Sequence, residues 1–575
     1  MLSALLLAAM IVSLCACSSY ESTGTGSGSA GAAAASGNGS DLRMVGTIRT
    51  TYDDYLSAHP DSKIVYADPI EADLAGAVFS MDTEFEPVAD EPETEEPEAG
   101  EQPEAEAQPE PEPEPETAAE PEQETEAPTA FTADDYEVVD SYEGRTGTIL
   151  VWKNAEGRLD VKFNVEKAGR YAIWFDYFAL SDEARNIELE LYINGKKTFS
   201  QAERINMTRL WHNENDVIEQ DVRGNDLNPS QVAYKAWISG PVRDNEGLYD
   251  APFTFCFEEG ENTLTIIGAR AQFAISGIRL YNTPDRITYA EYSKNASLSD
   301  NNYYELVQGE MPSFTCDPAL HPIYDRSSVN TLPADPILLK RNTMGGGNWA
   351  SQGQYAVYTL NVPQEGWYKI AVRYRQNVAR GLRTYRRVYV NGEVPFKEAD
   401  CLTFEYSDYW QKTVIGDIDN DGEPYLFHLN AGANEIRVEA ITGPTGVIIA
   451  ELDDMVYEFN YIYRKIIMIT GLDPDPYRDY HLESDIPTLL PTFTRLKEQC
   501  ESIKERLIEI RGGSSSSEVA SLTNMSVQLK SLLKDPETIP VRLSMFKDNI
   551  SALAALSVKL KEQPLELDYL TATAK

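Results

Sequence analysis

Histidine and cysteine are both scarce, and neither is arranged for chemistry. The five histidines (His59, His212, His321, His428 and His481) are dispersed, with no pair at metal-ligand spacing. Of the six cysteines, Cys15 and Cys17 lie near the start, and Cys256, Cys316, Cys401 and Cys500 occur singly. That pattern excludes a zinc motif and a disulfide scaffold. A Cys316–Cys401 bridge and buried free thiols both stay open as readings. No serine stands in a nucleophile-elbow context. The glycine run `MGGGNW` at 344–349 lacks the Lys-Ser/Thr of a phosphate loop. Positive charge is also short, with 49 Lys and Arg against 93 Asp and Glu and a net charge of -44. No basic patch emerges to neutralise phosphates, which argues against nucleic acid and anionic membrane as partners. The expectation is a protein without catalysis.

What is present is a unit that occurs twice. Residues 157–202 contain `GRLDVKFNVEKAGRYAIWFDY…IELELYINGKKTFSQA`, and residues 354–399 contain `QYAVYTLNVPQEGWYKIAVRY…RRVYVNGEVPFKEA`. Val165, Gly169, Tyr171, Asn194, Gly195, Phe199 and Ala202 recur 197 positions later as Val362, Gly366, Tyr368, Asn391, Gly392, Phe396 and Ala399. Each copy continues to a tryptophan (Trp211, Trp410) and then to a Gly-x-Asn strand start, `EEGENTLTII` and `NAGANEIRVE`. A repeat of this length and register marks two copies of one domain. Ile187, Leu189, Leu191 and Ile193 alternate with Glu188, Glu190 and Tyr192, the period of a half-buried strand, and end at the turn signal Asn194-Gly195. Strands at 159–165, 171–177, 262–267, 368–374, 388–390 and 435–440 follow, with turns at short spacing. The expected fold is mainly β: two antiparallel β-sandwiches, at 134–285 and 303–460. Copy one carries an extra loop, `QDVRGNDLNPSQVAYKAW`.

Around these lie segments of other kinds. Residues 1–17, `MLSALLLAAMIVSLCAC`, read as an export signal too short to span a bilayer comfortably. A Ser/Gly-rich spacer occupies 18–40. In 41–83, `TYDDYLSA` predicts a short helix and `SKIVYA` a strand. The 84–133 stretch is a linker: between Glu84 and Pro128 it holds 19 carboxylates and no Lys or Arg, a composition that cannot offset its ordering entropy. After residue 461 the period turns helical. Leu489, Phe493, Leu496, Cys500, Ile503, Leu507 and Ile510 make one stripe, Leu522, Met525, Leu529 and Leu532 a second, and Leu543, Phe546, Ile550, Leu553, Leu556 and Leu560 a third. These predict a three-helix bundle at 461–565 and a tail at 566–575.

Aromatic residues in loops are the candidate binding signal, because tryptophan and tyrosine rings stack on the apolar faces of sugars while amides and arginines bind hydroxyls. In copy two these are Trp349, Tyr409 and Trp410 beside Asn348, Asn377, Arg380 and Arg383. In copy one they are Trp211, Trp237, Arg223 and Asn225. Trp211 and Trp410 also fit a core role. Trp349, flanked by glycines and without an evident counterpart, is the leading ligand candidate. The `DIDNDGE` run (Asp417, Asp419, Asp421 and Glu423) begins like a calcium loop, but His428 stands where the bidentate Glu is needed. A solvated turn and a Ca2+ site are the two readings.

With these residues in view, both repeats resemble galactose-binding-like sandwiches of carbohydrate-binding modules, in the `V…GxY` strand pair, the `NG` hairpin, and the `GxNxI` strand followed by a closing strand such as `AELDDMVYE`. `GNDLNPSQV`, `HPIYDRSS`, `VNGEVPFKEA` and `YRKIIMITGLDPDPYRDY` are similar to segments of the large extracellular solute-binding lipoproteins of carbohydrate ABC transporters in Gram-positive bacteria. The `LCAC` ending likewise resembles a lipoprotein signal with Cys17 as the acylated residue. The resemblance implies a lipid-anchored protein on the outer face of the cell membrane. Its implied partners are an oligo- or polysaccharide and ABC permease subunits. In that family a solute-binding domain follows the helical segment, whereas this sequence reads `LELDYLTATAK` there; a truncated member and an artefact of the gene model are the two readings. The alternative is a surface adhesin or structural protein whose sandwiches bind cell-wall polymer or protein.

Overall fold

The computed structural model describes residues 51–59, 69–81, 135–299, 302–511 and 517–574. The export signal with Cys17, the spacer, `SKIVYA` and the acidic linker lie outside the described residues.

Alternation builds each sandwich. Along Ile187–Ile193 the apolar side chains are buried and the glutamates half-buried. The hairpin that follows turns on Asn194 and Gly195 at φ 52° and 75°, and its copy on Asn391 and Gly392 at φ 52° and 89°. Positive φ at both central residues gives the turn a twist that matches the flanking strands. An asparagine clamp then recurs in both copies. Asn194 Nδ2 donates to Asn262 Oδ1 at 2.9 Å, and Asn391 Nδ2 donates to Asn434 Oδ1 at 2.9 Å. Asn262 donates in turn to the carbonyls of Glu258 and Gly260, and Asn434 to those of Asn430 and Gly432. Tyr171 and Tyr368 each donate a hydroxyl to the carbonyl four residues earlier at 2.7 Å.

The first sandwich pairs a sheet ordered Trp237–Pro241, Gly169–Ala179, Phe273–Leu280, Arg145–Trp152, Tyr136–Tyr142 against one ordered Asp73–Ser80, Gly157–Val165, Gly260–Gly268, Ile187–Ile193, Lys196–Lys197. The segment before the linker is therefore part of this domain. Asp73–Ser80 pairs with Gly157–Val165, Ile70–Glu71 pairs with Phe273–Leu280, and the predicted helix, Tyr52–Ala58, buries Tyr52 and Tyr55 in the same core.

In the second sandwich Gly432–Ile441 runs straight into a helix, Thr445–Thr470. `AELDDMVYE` lies inside that helix and is no closing strand. Ile448, Leu452, Met455, Phe459, Ile462 and Ile466 form its buried stripe. With Leu489–Arg511, Ser517–Lys534 and Leu543–Lys561 it makes four long helices around one core, so the three-helix expectation is one short. All three predicted stripes face that core.

The true closing strand comes after the bundle. Leu565–Thr573 sits between Thr343–Gly346 and Gly366–Gln376 in the second sandwich's sheet, and is no tail. Its register matches that of Phe273–Leu280 in copy one. Ile275 pairs with Tyr177 and Leu567 with Tyr374, and a bulge follows at once in each, at Ser276 and at Asp568. Because Tyr177 and Tyr374 are 197 apart, the two strands are counterparts, and the bundle is inserted between the last two strands of the second sandwich. A β-bulge kept in both copies re-aims the neighbouring side chains in the same way.

The extra loop of copy one joins the two domains. Its strand Gln231–Tyr234 pairs with the preceding strand Leu210–Asn213, and the two extend a sheet of the second sandwich through Trp211 opposite Thr315. Tyr234 stacks on Phe314 at 5.1 Å, and buried Asp226 accepts from the Arg341 backbone and from Lys340.

Candidate functional site

The paired strand Arg145–Trp152 is buried on both faces: Leu150 and Trp152 enter the main core, whereas Ile149 and Val151 point out of the sandwich. There they meet Phe178 and Ala274, with Tyr142, Leu180 and Trp237 packed around them. An apolar floor on the outside of a sheet must be covered or used. Above it lies an open cavity of about 620 Å³ lined by Tyr142, Val151, Phe178 and Leu180, with Glu137, Lys153, Ser181 and Gln272 at its walls. Apolar side chains thus form its base and polar groups its walls.

Trp237 borders this floor. Its ring packs on Phe178 at 5.5 Å, its indole N–H donates to the Glu143 carbonyl at 3.0 Å, and Arg145 lies 4.5 Å over it. Arg145 is held in turn by Ser276 Oγ at 2.6 Å. The tight turn beside it passes through Glu143 and Gly144 at φ 43° and 78°. Burial, helped by Glu143 and Glu137, raises the Tyr142 phenol, which stays a neutral donor. Lys235 donates to the carbonyls of Ala179, Leu180 and Ser181 and pairs with Asp182, so it shapes the rim.

Trp410 occupies the matching place in copy two. Trp237 pairs with Phe178, and Trp410 precedes Gln411, which pairs with Tyr374. Trp410 thus lies beside Arg375, the residue 197 after Phe178, where the register of the ladder shifts. The tryptophan counterpart is therefore Trp237, and the pairing of Trp211 with Trp410 is corrected: Trp211 is buried at the seam between the sandwiches. Trp410 is half-buried, donates its indole N–H to Asp325 Oδ2 at 3.0 Å, and has Arg375 and Arg373 at 4.8 and 5.1 Å from its ring. Tyr409 is 81% exposed beside it.

Trp349 offers no ring face to a ligand. It is fully buried, donates to the Gln354 carbonyl at 3.1 Å, and is capped by Arg386. An equally buried tryptophan, Trp152, stands 197 residues earlier and donates to the Glu156 carbonyl at 3.2 Å, although by strand register its place corresponds to Gly346. Asn348 is exposed on the turn next to it.

The polar candidates of copy two do not gather around a tryptophan. Asn377, Arg380 and Arg383 lie on the loop whose Ala379 and Leu382 enter the bundle core, and Arg383 bonds to Glu405 and to the Ile510 carbonyl. Those of copy one lie on the loop joining the sandwiches. Asn225 donates to Asp221 and accepts from the Leu339 backbone, and the exposed Arg223 is a neighbour in that loop.

`DIDNDGE` is a turn. Asp417 accepts from the Val414 backbone and Asp419 from that of Thr403, while Asp421 takes φ 51° at the tip and Glu423 is exposed. No cluster of three or more acidic, histidine or cysteine side chains able to hold a metal occurs among the described residues. Cys316 and Cys401 are both free thiols.

Residues 447–561 match the model of the family described as bacterial solute-binding protein, 4-helix bundle domain. No curated protein matches the chain. Among solved structures, one similar chain is a cycloisomaltooligosaccharide glucanotransferase from Paenibacillus sp. complexed with cycloisomaltoheptaose. It is 16% identical with a TM-score of 0.19, over 26% of this chain and 17% of that one. A family 35 carbohydrate-binding module from Clostridium thermocellum is 18% identical with a TM-score of 0.17, over 24% of this chain and 87% of that one. The corresponding module from Cellvibrio japonicus Abf62 is 15% identical with a TM-score of 0.17, over 24% and 82%. This chain thus spans a small part of the glucanotransferase, and none of these scores supports transfer of a site.

Proposed function

We propose that this is a non-catalytic, extracellular carbohydrate-binding protein, the module-bearing part of a sugar-transport binding protein. One observation carries the reading: the outer face of the first sandwich holds an open, aromatic-floored cavity with polar walls. Tyr142 supplies apolar surface for a sugar ring over a floor of buried Phe178 and Val151, Trp237 borders that floor, and Glu137, Gln272 and Ser181 supply hydroxyl partners. The solute-binding family match over the bundle supports the setting. The finer reading adds acylation at Cys17 and ABC permease subunits as partners, on the `LCAC` motif and the segment resemblances.

The test is a soluble-glycan panel against the whole chain, followed by Trp237→Ala and Tyr142→Ala. Binding of at least one glycan, weakened tenfold or more by either substitution, is expected. Absence of binding across the panel, or variants that bind as the wild type does, would refute it.

A further inference from the structure

The two sandwiches share a register, so their outer faces can be compared position by position. Phe178 corresponds to Arg375 and Asp176 to Arg373, by the 197-residue repeat. Ala274 corresponds to Glu566 and Ser276 to Asp568, by the common bulge. Trp237 corresponds to Trp410. Two residues of the first face's apolar floor, Phe178 and Ala274, are thus replaced at the same backbone positions by Arg375 and Glu566, and the polar Asp176 and Ser276 beside them by Arg373 and Asp568.

What those charges hold is a loop. In the first sandwich the strands Tyr136–Tyr142 and Arg145–Trp152 are joined by the tight turn at Glu143 and Gly144. Their counterparts, Pro322–Ile323 and Thr343–Gly346, are joined by residues 324–342. Arg375 pairs with Asp325 at 3.0 Å and with Glu566 at 2.6 Å, and donates to Ser327 Oγ at 2.7 Å. Arg373 pairs with Asp568 and donates to Ser328 Oγ at 3.1 Å and Thr331 Oγ1 at 3.0 Å. Trp410 donates to the same Asp325 carboxylate. Where the first face meets its own turn through the Glu143 carbonyl, the second meets a whole strap. The carboxyls of Glu566 and Asp568 beneath it, and that of Asp325 within it, are all but fully buried. Burial alone would lift Asp325, but the bonds from Trp410 and Ser327 and the charge of Arg375 hold it below its usual range.

We propose that residues 324–342 are the resident occupant of the second sandwich's outer face, so that the chain takes one saccharide, on the first sandwich alone. The second sandwich has exchanged ligand binding for fastening the inserted bundle, because Glu566 and Asp568 lie on the strand that returns from it. This rests on the carbohydrate reading above, and its own failure is separable from the failure of that reading.

The experiment has two arms on the whole chain. Calorimetric titration with a glycan that binds gives one site per chain; Trp237→Ala lowers affinity tenfold or more, and Trp410→Ala changes it less than twofold. Hydrogen exchange without glycan finds the amides of Asp325 and Ser327, bonded to Asn342 Oδ1 and Asp325 Oδ2, at least tenfold slower than in a free peptide. Asp325→Ala speeds the Ser327 amide toward the peptide rate. Two sites per chain, or loss of binding in Trp410→Ala, overturns the single-site assignment while leaving carbohydrate binding intact. A strap that exchanges like free peptide overturns the closure itself. A chain that binds no glycan overturns the single-saccharide claim together with the reading it rests on.

Discussion

Trp237 and Trp410 hold the same place in two copies of one fold, yet each gives its indole N–H to a different kind of acceptor. Trp237 reaches a turn carbonyl at 3.0 Å, and Trp410 reaches the Asp325 carboxylate at 3.0 Å. The first borders an apolar floor and carries one arginine over its ring; the second lies among two arginines and the carboxylates they pair with. The two faces hold equivalent places in the repeat, and the loop that meets each differs in length.

The arginine that fastens the covered face is expected to be structural. Arg375→Met leaves Glu566 and Asp325 buried without their cation. Breaking a buried pair by removing one partner costs about 3–5 kcal/mol. Thermal or urea unfolding of the variant checks this. Glycan affinity stays at the wild-type value.

A second expectation concerns pH. Glu310 is buried, and burial pushes its carboxyl up from 4.5 to about 8, with Asp568 and Asp226 adding to the rise. Its Oε2 has no hydrogen-bond partner among the described residues. Because the folded value lies above the unfolded one, this contribution to stability is complete below about 4.5 and is lost as pH rises through about 8. Asp568, raised by burial to about 6 against the pull of Arg373, acts in the same direction. Melting curves from pH 5 to 9 test it. Glu310→Gln gains stability relative to wild type as pH rises; equal slopes for both proteins would contradict the assignment.

The asparagine clamp gives a paired prediction. Asn262→Ala and Asn434→Ala each remove a buried amide that joins a hairpin to the strand start. Unsatisfied buried groups cost about 1–3 kcal/mol each. Both variants are expected to lose about 2–4 kcal/mol, and by similar amounts, since the geometry is the same; chemical denaturation measures it.

Trp349→Ala empties a core site. The loss is about 3–5 kcal/mol, the range for an aromatic truncated to alanine in a packed interior. Glycan binding is unaffected, which separates this tryptophan from Trp237.

The strands of both sandwiches were legible because alternation, the Asn-Gly turns and the 197-residue repeat agree with one another. The same 197-residue spacing joins Trp152 to Trp349, a sign of a buried role for Trp349, although the strand register shifts by three residues between them. Trp237 was harder to recognise as the partner of Trp410, because the inserted loop displaces it from the repeat spacing and leaves Trp211 in the conspicuous position. The closing strand was hidden by the bundle, which puts Leu565–Thr573 far from the rest of its sheet. The first bundle helix was readable: Leu452, Met455, Phe459, Ile462 and Ile466 step by three and four. The cavity was not legible, because it depends on which outward side chains are covered, and that is set by the lengths of loops folding back from elsewhere.

The most direct test of the account is a hydrogen-exchange difference map of the whole chain with and without a bound glycan. The account predicts added protection in 136–152, 178–181 and 235–241, and none in 322–346 or 407–414. Protection confined to the second set, or shared equally between the two, would contradict it.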